Sequence, residues 1–352
     1  MQIDELLKTT VERGASDLHL KVPSPPVFRI DGALISADMP PLTAEDIESV
    51  FAQITSQEQR DTFLRERELD CAYSIPGMAR FRINALQQRG TLSLAFRFVP
   101  FDVPSVDGLG IPQICKKLVL KPYGLILITG PTGSGKSTTL AAMIDYLNEN
   151  DRRNIITIED PVEFLYADKQ CIIRQRDLGD DTKSFSAALT HALRHDSDVI
   201  VVGEMRDLDT ISTAITAAGT GHLVLGTLHT NSAVQSVDRT IDMFPHGQQR
   251  QIRLQLSQVI EAILSQTLLA RVKGGRIAAF EVMIANSVVR NLIREDRVLE
   301  LPRNMELSTQ EEGMQTMEQA LAVLIKEGVV SQEEAMMRSS NPAKVNQLLQ
   351  SH

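Results

Sequence analysis

Residues 124–139, GLILITGPTGSGKSTT, constrain the fold more than any other stretch of the chain. The apolar run GLILIT reads as a buried strand. The run Gly130-Pro131-Thr132-Gly133-Ser134-Gly135-Lys136-Ser137-Thr138 follows at once and opens a helix from about 136. Glycines let a backbone close around a phosphate, so that amide N–H groups and the positive end of a helix face its oxygens. In that arrangement Lys136 reaches the β- and γ-phosphates, and the Ser137 hydroxyl ligates Mg²⁺. A nucleoside triphosphate is the expected ligand.

The neighbouring sequence keeps the same architecture. IITIE (155–159), DVIVVGE (198–204) and HLVLGTL (222–228) are apolar runs alternating with helical stretches near 184–194 and 207–218, so the fold class is α/β with a largely parallel sheet covered on both faces. Hydrolysis requires a carboxylate to handle water and positive charge for the transition state. Glu204 stands at the C-terminal end of its strand, where ligands bind in open α/β sheets. Gly203 takes the place where an aspartate ordinarily closes such a strand, so the metal is expected on Ser137, phosphate and water, with Glu204 acting on the water or the metal's shell. A solvated strand-end glutamate is the alternative. Glu163, in IITIEDPVEF, is either turned back toward its strand by Pro161 or simply part of a turn. His222 and His229 bracket HLVLGTLH, and phosphate sensing and a structural role stand side by side for both.

Residues 1–100 form a separate α+β module by pattern. Ile3, Leu6, Leu7, Thr10 and Val11 repeat at helical spacing, SDLHLK (16–21) alternates as a strand, and VFRIDGALI (27–35) is a hairpin around Asp31-Gly32. Thr43 with Asp46 and Ser56 with Gln59 mark two helix starts. MARFRINALQQ (78–88) and TLSLAFRFV (91–99) are strands joined by Arg89-Gly90. A two-residue loop there places Arg82 opposite Arg97, where like charges repel. Either an anion lies nearby or both guanidinium groups splay into solvent. Three prolines in PFDVPSVDGLGIP place a linker at 101–122, which leaves 123–300 for the nucleotide domain and 301–352 for a helical appendage, with Ser331 and Glu334 capping its second helix.

Composition removes other classes. The chain has 352 residues, which suits about two domains at ~150 residues each. Its formal net charge is −9, with 11 Lys+Arg against 14 Asp+Glu in the first hundred residues and 25 against 31 in the rest. With no Trp, 4 Tyr and 11 Phe, neither a basic nucleic-acid module nor a base-stacking platform is expected. Cys71, Cys115 and Cys171 are spaced by 44 and 56 residues, so no zinc half-site exists, and so sparse a set suits a reducing cytoplasm. No apolar run approaches ~18 residues, and the N-terminus is amphipathic and acidic, so neither a membrane span nor an exported precursor is expected.

Four boxes agree in order. GPTGSGKSTT (130–139), IEDPVEF (158–164), VVGEMRDLDTI (201–211) and TGHLVLGTLHTNSA (220–233) resemble the Walker A, Asp, Walker B and His boxes of the type II/IV secretion ATPase superfamily. GASDLHL (14–20) and RIDG (29–32) resemble its N-terminal domain. VVRNLIRED (288–296) and GMQTMEQAL (313–321) are similar to elements of the PilT-type type IV pilus retraction ATPases. The resemblance implies a PAS-like N-terminal α+β domain followed by a RecA-like P-loop NTPase domain. It implies a homohexamer that hydrolyses ATP with Mg²⁺ to drive pilus retraction and twitching motility. It further implies Glu204 as catalytic glutamate, Glu163 as Asp-box carboxylate, His222 and His229 near the γ-phosphate, and Arg82 and Arg97 completing the site. Such a motor would lie in the cytoplasm against the inner face of the membrane. Its partners would be a platform protein, for which Arg290 and Arg294 are candidate contacts or else a solvated helix face, and a paralogous retraction ATPase.

Departures from the family pattern are Val288-Val289, Arg174 and Gly219-Thr220. They bear on principal motor against accessory paralogue. Assembly and secretion ATPases usually carry a tetracysteine insert and a longer N-terminal region; this chain starts close to the PAS-like module and has no C-x-x-C, which makes retraction the expected direction. A nucleic-acid translocase and a nucleotide-sensing subunit with little turnover are the remaining classes.

Overall fold

Strict alternation of apolar and polar residues builds the first of two units in the computed structural model, which describes residues 2–30, 32–99, 103–308 and 313–350. One unit is Met1–Asp102 with Pro161–Leu165; the other is Val103–Asp160 with Tyr166–His352. Asp31 of the expected hairpin turn, and residues 100–102 at the start of the expected linker, lie outside the described residues.

The N-terminal unit runs α1 (Ile3–Glu12), β1 (Asp17–Leu20), β2 (Val27–Ile30), β3 (Ala33–Ser36), α2 (Ala44–Ile54), α3 (Gln57–Glu66), β4 (Glu68–Ile75), β5 (Ala79–Gln88) and β6 (Thr91–Val99). Its strands form an antiparallel sheet in the order β3-β2-β1-β6-β5-β4. Leu18, Phe28, Phe81, Ile83 and Phe96 share a core with Ile3 and Leu7 of α1 and Ile47 and Val50 of α2. Thr43–Asp46 and Ser56–Gln59 both close reciprocal capping boxes, which fixes where α2 and α3 begin. Arg89 and Gly90 take φ of 50° and 83°. Positive φ at both positions suits the tightest hairpin turn, so the register follows from the turn, and Arg82 pairs with Arg97.

The second unit begins with α4 (Val106–Leu109) and α5 (Ile114–Val119), in the stretch expected to be a linker. The correction has a plain cause. Val106, Ile111, Cys115, Leu118 and Val119 are buried in one core with Ile126, Ile128, Leu140 and Met143, so the prolines and glycines punctuate a packed segment.

There follow β7 (Gly124–Thr129), α6 (Lys136–Asn150), β8 (Asn154–Glu159), β9 (Ile172–Asp177), α7 (Phe185–Ala192), β10 (Val199–Val202), α8 (Leu208–Gly219), β11 (Leu223–Leu228), α9 (Ala233–Asp242), α10 (His246–Val259), β12 (Ile260–Ala270) and β13 (Arg276–Ile284). The sheet order is β13-β12-β7-β11-β10-β8-β9. All neighbours are parallel except β12 and β13, which form an antiparallel hairpin. Every residue of β7, β10 and β11 is buried, as in a strand covered on both faces.

The chain ends with α11 (Ser287–Arg294), α12 (Leu301–Leu307), α13 (Met317–Lys326), α14 (Gln332–Arg338) and α15 (Pro342–Gln350). The expected appendage is divided. Leu301 and Met305 belong to the main core, whereas α13 to α15 pack on Leu269 of β12 and Ala279 of β13. Among the described residues no helix is long and apolar enough to cross a membrane.

Cys115 is fully buried, and burial pushes its thiol up to about 12. At pH 8 it is expected to resist Ellman's reagent in the folded chain and to react once the chain is unfolded, a difference read by comparing native and denatured chain with and without Cys115→Ala.

Candidate functional site

The phosphate loop is shaped by backbone rather than by side chains. β7 delivers the chain to Gly130, and Gly133 and Gly135 take φ of 77° and 91°, which L-residues rarely adopt. Gly135 is the N-cap of α6 in the left-handed conformation, so the first amides of that helix open onto the loop. Lys136 is buried, and its Nζ donates to the carbonyls of Gly130 at 2.8 Å and Pro131 at 3.0 Å. Ser137 follows in the first helical turn, half-buried. Anion binding by backbone amides and a lysine is what this arrangement offers.

Two strands away in the sheet, at ~4.8 Å per strand or roughly 10 Å, β10 ends at Val202 and hands the chain to Gly203 and Glu204. Gly203 is closely approached by the neighbouring strand: a Cβ there would meet the carbonyl O of Ile158 at 3.0 Å and Cα of Glu159 at 3.2 Å. Thr227 of β11 donates its hydroxyl to the Gly203 carbonyl and accepts, through its own carbonyl, the Met205 amide at 3.1 Å. Glu204 is thereby held with its side chain 15% exposed, Nε2 of His229 2.7 Å from its Oε1 and Nε of Arg206 on the same oxygen. The Glu204 carboxylate raises the Arg206 pKa above its ordinary value. Arg206 lies within VVGEMRDLDTI, but it follows the strand in an irregular turn and spacing gives it no role.

His222 is a correction. A parallel strand places its two ends on opposite edges of the sheet, and His222 and His229 are separated by the length of β11, roughly 20 Å at ~3.3 Å per residue. The His222 carbonyl accepts the amide of Gly124, at the end of β7 farthest from the phosphate loop, and its Nδ1 lies 3.1 Å from the Ala217 carbonyl. Within this chain His222 is a strand-edge residue, and His229 alone meets Glu204. Glu163 is exposed on Pro161–Leu165, the segment that belongs to the N-terminal unit.

Arg290 is held within the chain: it donates to the carbonyls of Ser257 at 3.1 Å and Gln258 at 2.9 Å, and to Oε1 of Glu261 at 2.7 Å. These bonds fasten α11 to the C-terminal end of α10 and the start of β12. Arg294 is exposed, with its guanidinium on Oδ1 of Asn291.

In the N-terminal unit the opposed arginines have a local anion. Asp17 pairs in register with Arg97 on one side and Arg29 on the other, so Arg29, Asp17, Arg97 and Arg82 form one row across β2-β1-β6-β5. Nε of Arg97 is 2.9 Å from Oδ1 of Asp17, and the Asp17 side chain is only 10% exposed. Burial alone would raise the Asp17 pKa; hydrogen bonds from the Ser16 hydroxyl and Arg97 outweigh it and hold the carboxyl below its ordinary value. Arg82 has no side-chain hydrogen bond or ion pair among the described residues. Three arginines against one aspartate leave the row positive.

Among the described residues no group of three or more His, Cys, Asp or Glu side chains can hold a metal.

The family model for the type II/IV secretion system protein matches residues 1–274. The chain is 45% identical over 342 residues to the type IV pilus retraction ATPase PilT of Pseudomonas aeruginosa, covering 97% of this chain and 99% of that one. A twitching motility protein of Neisseria gonorrhoeae is 45% identical over 318 residues, 90% of this chain and 84% of its own. The crystal structure of the pilus retraction motor PilT with bound ADP superimposes with a TM-score of 0.91 at 44% identity, covering 99% of both chains.

The depressed pKa of Asp17 gives a signed expectation. Its contribution to stability is complete above the unfolded value of ~3.9 and is lost as pH falls through the lower folded value. Asp17→Asn should be less stable than wild type in urea at pH 6, with the gap closing toward pH 3. A gap that does not change with pH would remove the charge from the account.

Proposed function

The chain belongs to the type II/IV secretion system protein family, and from that premise we propose that it is a hexameric Mg·ATP-hydrolysing motor driving type IV pilus retraction. The observation that carries the reading is the phosphate loop beside a Glu204–His229 pair, in a chain alike from end to end to a retraction ATPase. Loop amides and Lys136 bind the phosphates. Ser137 would hold magnesium, which when bound neutralises charge on the phosphate oxygens. Glu204, oriented by His229 and Arg206, accepts the proton of the attacking water. Arg82 and Arg97 are assigned to balance charge on the nucleotide, and the net positive row across the N-terminal sheet supports that assignment. Glu163 is assigned as an accessory carboxylate by its place in IEDPVEF. The motor would act in the cytoplasm against a membrane platform protein, beside a paralogous retraction ATPase where one is present.

Glu204→Gln should bind ATP with near wild-type affinity and lose turnover by ~10²-fold or more, the range for a general base; Lys136→Ala should lose binding itself. An unchanged rate for the Glu204 variant removes it from that role. In the cell, deletion should leave surface pili in excess and abolish twitching. Loss of pili would instead assign the motor to assembly.

A further inference from the structure

The phosphate loop rests on a residue that no motif contains. The parallel register of β7 and β12 ends at Thr129 and Ser265, and the next residue of β12, Gln266, is 2% exposed beside the loop. Its Nε2 donates to the Ser134 carbonyl at 2.6 Å. Because that carbonyl can only accept, the amide orientation of Gln266 is fixed by chemistry. Two of the loop glycines back onto the same residue: a Cβ on Gly130 would lie 2.4 Å from the Gln266 carbonyl O, and one on Gly135 3.2 Å from its Nε2.

A second observation concerns the other end of the amide. Oε1 of Gln266 and Oγ of Ser134 are both buried without a hydrogen-bond partner. Beneath them runs a buried hydroxyl layer, with Thr129 bonded to Ser265 at 2.8 Å and Ser236 to Thr230, next to His229, at 2.6 Å. Gln266 thus reaches the loop from a polar shelf joined to β12, on the side of β7 away from β11 and β10.

We propose that Gln266 is a positioning residue for nucleotide binding: by drawing the Ser134 carbonyl toward β12 it aims the Gly135 amide at the phosphate. The peptide between Ser134 and Gly135 is planar and trans, so its C=O and N–H point in opposite directions. Fixing the carbonyl against Gln266 therefore turns the Gly135 N–H away from the shelf. An apolar side chain of the same length leaves that peptide free to rotate, and a carboxylate sets acceptor against acceptor and drives the carbonyl off. This inference rests on the reading of the loop as a nucleotide site.

The test uses full-length chain carrying Gln266→Met or Gln266→Glu, with fluorescent ADP titration, ATPase kinetics and thermal melts. Both variants should weaken ADP binding roughly ten- to a hundredfold, the worth of one hydrogen bond to a charged group, and raise KM in step. The kcat value should change little, while the nucleotide-free melting temperature should fall more for Gln266→Glu, which buries a carboxylate, than for Gln266→Met. Unchanged affinity in either variant overturns the inference, as does a lowered melting temperature with unchanged affinity, which marks a merely structural residue. Wild-type chain that fails to bind ADP would overturn the functional reading instead.

Discussion

Backbone amides can hold a phosphate only if nothing moves them, and the fit between β7 and its neighbours imposes that condition on the rest of the second unit. β7 is buried along its whole length between β11 and β12. Its end is crossed by close approaches that leave no space for a side chain at Gly130, while Met205 fills the space beside Gly226 on the adjacent strand. Within the loop, the Lys136 side chain ties the carbonyls of Gly130 and Pro131, and the rest of its shape depends on its neighbours. Its rigidity is borrowed from the sheet, through Gln266 on one flank and through the Thr227–Gly203 contact that seats Glu204 on the other.

How much of this is legible in sequence depends on range. The strand-loop-helix unit, the capping boxes and the Arg82–Arg97 register are set by residues within a few positions of one another, and these are the features that pattern alone finds. Asp17 reaches Arg97 across 80 residues of chain, so spacing poses the question of an anion without naming it. His222 and His229 look equivalent on paper, and only the direction of a parallel strand separates them. Arg290 illustrates the same limit: an i, i+4 arginine pair reads as one charged face, yet one member is consumed by Glu261 and two carbonyls of α10. The expected linker fails for another reason. Proline and glycine report turns, and turns are as frequent in a packed segment as in a tether.

Gly203 shows how local crowding decides chemistry. Where β10 presses against the end of β8, a Cβ at Gly203 would sit tight against the backbone of Ile158 and Glu159. The carboxylate stands one residue on, at Glu204. There it meets Arg206 and His229 rather than a second acid.

The charged groups singled out above are paired within the chain. In the second unit Lys136 donates to two loop carbonyls and Glu204 is bonded to Arg206 and His229, and in the N-terminal unit Arg97 is bonded to Asp17. A buried charge without a partner is costly, so a site built from such charges would oppose its own folding. Lys136 is given backbone carbonyls and Glu204 is given exposed side chains, which leaves neither charge unpaired. Arg82 differs: it stands opposite Arg97, half-exposed, with no ion pair among the described residues.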